Sequence, residues 1–297
     1  MSKRAKTPRG RGTAAAGEKR QKVRDVYVGR PFEGLADEPE WIALRELVPA
    51  ASAPLKLAPP VIERYGDRSV ILATVLPMAW PAMTKPDGRV FIGLQRHVQS
   101  GDVSRDLSVA LLCALETPPG QTVGVPALPG VGPRLQDVLE NAPLDITVHT
   151  GFEFWGQDMP DPDGELAASL ERASEAVVPT ARLTSVEAAY WCRIGSRTHL
   201  RWVLPDAEAP LLDALARLHA VRELGLGDGT KYVGAFRALG LVVPVWDLAP
   251  DTEAADVEEP AVALRKRLDE ALARTEPLSP QERRSRAGLL SRQVTLR

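Results

Sequence analysis

Four histidines, two cysteines and one run of carboxylates are the side chains with which this 297-residue chain could do chemistry. Their spacing argues against most of it. His97, His149, His199 and His219 lie far apart, and none forms an HxxxH, HxxE or Cys–His pairing at metal-ligand spacing. Cys113 sits in an apolar run and reads as an inert core thiol. Asp158, Asp161, Asp163 and Glu165 suggest a calcium loop, but with Gly164 as its sixth residue the loop needs carboxylates where Met159 and Leu170 stand. The segment reads as an exposed acidic turn. GLGDGTK at 225–231 suggests a phosphate loop and also fails, because Thr230 occupies the glycine place of both phosphate-loop patterns and Tyr232 follows Lys231. It reads as a flexible turn. No GxSxG elbow offers a serine nucleophile. Nothing calls for a cofactor or a metal.

Charge carries the stronger signal. Lys3, Arg4, Lys6, Arg9, Arg11, Lys19, Arg20, Lys22 and Arg24 face only Glu18, a net of +8 over the first 24 residues. Beyond Glu282 come Arg283, Arg284, Arg286, Arg292 and Arg297 with no carboxylate, a net of +5. The whole chain is formally -2, so residues 25–282 carry -15. An acidic body with basic ends favours contact with polyanions or acidic surfaces. Arginine outnumbers lysine 29 to 8, and guanidinium forks match phosphates. An Ala-, Arg-, Pro- and Leu-rich composition is equally that of a high-GC genome, and no aromatic residues interleave with these arginines as stacking platforms would.

The remaining limits are simple. No apolar run follows the basic N-terminus as a secretory signal requires. Val70 to Trp80 and Leu107 to Leu115 fall short of the ~20 residues that span a bilayer. Two cysteines without a CxxC give no secreted-type framework. The expectation is a soluble cytoplasmic protein.

The elements that must position these side chains follow from pattern. Residues 1–29 form a basic tail with almost nothing to bury, expected to be disordered. Asp37 and Glu40 resemble a capping box, ahead of a helix face of Trp41, Leu44 and Val48. Ser69 to Trp80 and Arg89 to Val98, joined by the Lys85-Pro86-Asp87-Gly88 turn, read as a hairpin. A strongly apolar helix is expected over 104–116, a short one over 135–140 and a strand over 144–155. Thr184, Glu187 and Gly195 predict a helix over 185–194. Strands at 199–204, 231–237 and 241–247 and helices at 208–221 and around Leu264, Leu268 and Leu272 complete the second half. Ser279-Pro280-Gln281-Glu282 is a full helix start, opening a terminal helix that carries Arg283, Arg284 and Arg286. Trp80, Trp155, Trp202 and Trp246 all fall on predicted strands, where core packing is the commoner fate than a ligand groove.

The pattern predicts an α+β fold, mixed or antiparallel sheets with helices on one face. The divisions are a tail at 1–29, halves at 30–165 and 166–278, and an Arg-bearing helix and tail at 279–297. The halves are loosely similar, each with a strand leading into an apolar helix. An ancient duplication is one reading and two ordinary α+β units the other, and the lack of a fixed period favours the second.

RPFEGL (30–35), WIALRELVPA (41–50), SVILATVLPMAWPA (69–82), LTSVEAAYWCRIG (183–195), LRWVLP (200–205), VPVWDL (243–248) and RAGLLSRQVTLR (286–297) are long and distinctive segments. Through them the chain resembles an uncharacterised actinobacterial family of about 300 residues, a domain of unknown function, over about nine-tenths of its length. Some relatives carry an N-terminal SEC-C-type zinc motif. This chain departs there, since no cysteine precedes Cys113, and a basic tail stands in its place. The resemblance implies a docking arm rather than an activity.

Three functions remain open, one of them a structural partner of a larger assembly. The first is a non-catalytic binding or adaptor protein whose basic ends contact RNA, the ribosome or an acidic protein surface. The alternative is a hydrolase-like enzyme whose site assembles from dispersed His, carboxylate and Arg residues. It requires a pocket in which His149 or His199 meets a carboxylate within hydrogen-bond reach.

Overall fold

The computed structural model describes residues 26–291, except 98, 127, 129 and 157–162. The chain runs through α1 (Glu38–Glu46), β1 (Ala51–Leu55), α2 (Pro59–Tyr65), β2 (Val70–Val75), β3 (Ala82–Thr84), β4 (Val90–Gln95) and α3 (Val103–Glu116). Next come α4 (Leu135–Val138), β5 (Thr147–Val148), α5 (Glu153–Gly156) and α6 (Glu165–Ser174). The second part holds β6 (Thr180–Arg182), β7 (Ala189–Ile194), β8 (Arg197–Trp202), α7 (Glu208–Ala220), β9 (Lys231–Ala238), β10 (Leu241–Leu248), α8 (Glu258–Leu272) and α9 (Pro280–Leu290). Two five-stranded sheets result, ordered β3-β4-β2-β1-β5 and β6-β7-β8-β10-β9. All pairings are antiparallel except β2 with β4. The fold class is α+β.

The 69–98 region is not a simple hairpin. The Lys85–Gly88 turn forms, with the Gly88 amide bonded to the Lys85 carbonyl at 2.9 Å, but it joins β3 to β4. Before it, Met78 and Ala79 take left-handed φ values of 54° and 49° and turn the chain back on itself. That reversal lets β2 lie parallel to β4, with β3 inserted as the sheet edge. Trp80 therefore caps a short 3-10 turn instead of sitting in a strand. The strand expected over 144–155 shrinks to β5, because the chain turns into α5 at Glu153 and takes Trp155 with it.

The helix expected over 185–194 is instead β7. Its side chains alternate between faces, with Tyr190 in the core cluster shared with the first half and Trp191 in the cluster under α7 and α8. Gly195, at φ 60°, does not end a helix. It opens the two-residue turn that pairs Ile194 with Arg197, which suits the permissive backbone of glycine. Thr184 and Ser185 spend their amides on the Glu258 carboxylate, at 2.9 and 3.0 Å, and not on a cap of their own.

The second sheet is covered on both faces. Trp191, Trp202 and Trp246 pack against Leu211, Leu215 and Leu218 of α7 and Leu264 and Leu268 of α8. On the opposite face Tyr190, Val203, Leu241 and Val243 join the main core of the first half, with Phe32, Trp41, Leu44 and Leu107. Alternation along β7 and β10 produces this double burial. The likeness between halves extends to the units β4–α3 and β8–α7 but not to strand order, since β4 has the earlier, parallel β2 beside it and β8 the later, antiparallel β10. Among the described residues no helix is long and apolar enough to cross a membrane.

Candidate functional site

Ser279 starts α9 as its sequence requires. The Ser279 hydroxyl accepts from the Glu282 amide at 3.3 Å, and the Glu282 carboxylate accepts from the Ser279 amide at 2.6 Å. That backbone bond, foremost, holds the Glu282 carboxyl below its ordinary pKa. The helix lies along α7 and buries Leu289.

Its three arginines are used differently. Arg286 Nε donates to Asp213 Oδ1 of α7 at 2.6 Å, so this guanidinium braces the helix. Arg283 is exposed and donates back to the Leu278 carbonyl. Arg284 is exposed and makes no side-chain bond among the described residues. Lys3, Arg4, Lys6, Arg9, Arg11, Lys19, Arg20, Lys22 and Arg24 lie outside the described residues, as do Asp158 and Asp161.

The histidines do not converge. His97 lies beyond the end of β4 and is exposed. His149, just after β5, stacks on Phe154 at 4.2 Å and its Nε2 is 2.8 Å from the Ser52 hydroxyl. Burial pushes its pKa down, with Glu153 acting in the opposite sense. His199 Nδ1 lies 2.8 Å from Asp247 Oδ1, across the β8–β10 pairing that sets these residues opposite each other. His219 Nδ1 meets the Ser285 hydroxyl of α9 at 3.2 Å. Among the described residues no group of three or more His, Cys, Asp or Glu could hold a metal ion.

The His199–Asp247 pair has the Asp–His arrangement of a hydrolase, in which the carboxylate fixes the imidazole. Among the described residues no hydroxyl or thiol is hydrogen-bonded to His199. Cys192 is the cross-strand partner of His199 on the other side, yet it is buried and makes no hydrogen bond from its thiol among the described residues. Burial raises its pKa, which disfavours the thiolate.

Glu40 is the group that sequence reading misplaced. Asp37 and Glu40 form no capping box. Asp37 has φ 54° and its carboxylate accepts from the distant Leu144 amide at 2.8 Å. Glu40 is completely buried, with Oε1 accepting from Arg182 Nε and the Ala188 amide, each at 2.9 Å, and Oε2 from the Tyr190 hydroxyl at 2.6 Å. These donors come from β6, β7 and the turn between them, so only the tertiary fold reveals the site. Asp247 was missed for the same reason, since strand pairing alone brings it to His199.

No curated protein and no solved structure matches this chain. A family model does match, over residues 31–297, and by that match the chain belongs to a family of unknown function, DUF5926.

Proposed function

We propose that this protein is a non-catalytic binding or adaptor protein of the cytoplasm, contacting a polyanion such as RNA, the ribosome or an acidic protein surface through its basic ends. The observation that supports this most is α9, held rigidly by its cap, Leu289 and the Arg286–Asp213 pair, with Arg283 and Arg284 left at the surface. A rigid helix presenting guanidinium groups loses little entropy on meeting phosphates. The arm, residues 1–29, would add reach and charge to this contact, while 30–165 and 166–278 form the body that carries both ends.

The test is RNA binding by the full-length protein as a function of salt. Log K should fall linearly with log salt concentration, with a slope set by the phosphates neutralised. Removing residues 1–24 should flatten that slope. Arg283→Gln with Arg284→Gln should flatten it further. A slope unchanged by either change would remove the basic ends from the function.

The His199–Asp247 pair favours a second reading, a hydrolase-like enzyme. Hydrolysis of a model ester or phosphoester, lost in His199→Ala, would establish it. Binding is preferred because α9 supplies a positive observation for it, whereas among the described residues no hydroxyl or thiol is bonded to His199.

A further inference from the structure

The loop whose sequence fails as a phosphate motif lines an open recess of about 570 Å³, between the end of α7, the start of β9 and Ser285 of α9. Arg222, Lys231 and His219 supply cationic or protonatable groups there, with the hydroxyls of Thr230 and Ser285. No carboxylate is among its lining residues, and the nearby Glu223 and Asp228 are exposed without lining it.

The backbone of the loop is polarised. The carbonyls of Glu223 and Gly225 accept from Arg267, that of Leu224 from Trp246 Nε1 at 2.8 Å, and that of Gly227 from the Thr230 hydroxyl at 2.7 Å. The Leu226 amide donates to Thr230 Oγ1. The amides of Gly225, Gly227, Asp228 and Gly229 make no hydrogen bond among the described residues. With these four carbonyls engaged and those four amides without a protein partner among the described residues, the loop has donors to offer a ligand, as anion-binding backbone concavities do.

Arg222 adds an independent observation. It holds φ 63° at the end of α7, where the Glu223 amide bonds the Leu218 carbonyl at 2.9 Å. This is the left-handed residue of a Schellman ending, a place that usually takes glycine. An arginine there costs stability and places a guanidinium at the recess, the kind of local strain that gathers at functional sites.

We propose that this recess binds a phosphate group, with Arg222 and Lys231 as its charged contacts and the Gly225 and Gly227 amides as backbone donors. The shared chemistry is the phosphate, from either a free nucleotide or a polynucleotide strand. The proposal needs neither the N-terminal arm nor the arginines of α9.

The test is amide NMR of the full-length protein titrated with inorganic phosphate, ATP and a ten-nucleotide single-stranded RNA. Saturable shifts of the Gly225 and Gly227 amides are expected, with binding about tenfold weaker in Lys231→Gln and in Arg222→Gly. Arg222→Gly should melt at the same or a higher temperature than the parent, so its loss of binding cannot come from misfolding. Shifts with phosphate or ATP assign a free ligand, and shifts with RNA alone assign a strand. Glycine amides unmoved by all three probes, or variants within twofold of the parent, would overturn the site. RNA that binds without moving those amides would also overturn it, while leaving the polyanion reading standing.

Discussion

The hydroxyl of Tyr190 donates to Glu40 Oε2 at 2.6 Å, where the carboxylate is completely buried. One residue lies on α1 in the first half of the chain and the other on β7 in the second. Burial first, and the neighbouring Glu40 charge next, push the Tyr190 phenol well above its ordinary pKa, so it stays a donor. The other carboxylate oxygen takes Arg182 and the Ala188 amide. A charge removed from water is tolerated because each carboxylate oxygen has at least one hydrogen-bond donor.

Glu40→Ala should therefore be severe. It strands the Arg182 guanidinium, the Ala188 amide and the Tyr190 hydroxyl together, a loss on the order of 3–5 kcal/mol for breaking a buried ionic network. Tyr190→Phe removes one donor and should cost about 1–2 kcal/mol. Equilibrium denaturation in urea measures both. A Glu40→Ala loss below about 1 kcal/mol would mean that water replaces the carboxylate, contrary to the burial seen.

A pH dependence follows from His149. Its pKa is lowered in the folded protein, chiefly by burial, so the unfolded chain takes up the proton first as pH falls. Stability contributed by the neutral ring is present above the ordinary histidine range and is lost as pH drops below it. The Ser52 hydroxyl lies 2.8 Å from Nε2, and the protonated ring can meet it only as a donor. His149→Phe should keep the stack on Phe154 and flatten the decline from the ordinary histidine range downward. Melting temperatures across that interval decide it, and a slope unchanged by the substitution would exclude His149 as its source.

What could be read in the sequence was local. The Ser279–Glu282 box, the 103–116 and 208–220 helices and the two strands joined at Leu239-Gly240 depend on neighbours in the chain, and all are present. The Asp37–Glu40 and Thr184–Glu187 boxes have the same spacing and do not form, because better partners arrive from far away. Glu40 meets β6 and β7, and Thr184 meets Glu258 of α8. The parallel β2–β4 pairing was invisible because it rests on the backbone reversal at Met78 and Ala79, residues whose side chains give no reason to expect φ above zero. The arginines of α9 were legible as charge, but the division between brace and free surface was not. Arg286 is partly buried facing Asp213 on α7, and Arg284 is exposed.

That division makes Ser279 a test of how α9 acts. Ser279→Ala removes the hydroxyl acceptor of the Glu282 amide and should cost about 1 kcal/mol, confined to the first turn of the helix. The anchors at Leu289 and Arg286 lie further along and stay in place. Hydrogen exchange should therefore quicken at the amides of residues 281–284 while the melting temperature barely moves. If Arg283 and Arg284 act as rigidly presented cations, this fraying should also weaken RNA binding, because the ordering entropy must now be lost on contact. The salt slope should stay the same, since no charge has been removed. Weaker binding at constant slope marks preorganisation as the role of the cap. Faster exchange with unchanged affinity would show that the arginines bind as a flexible pair and that the rigidity of α9 serves only the fold.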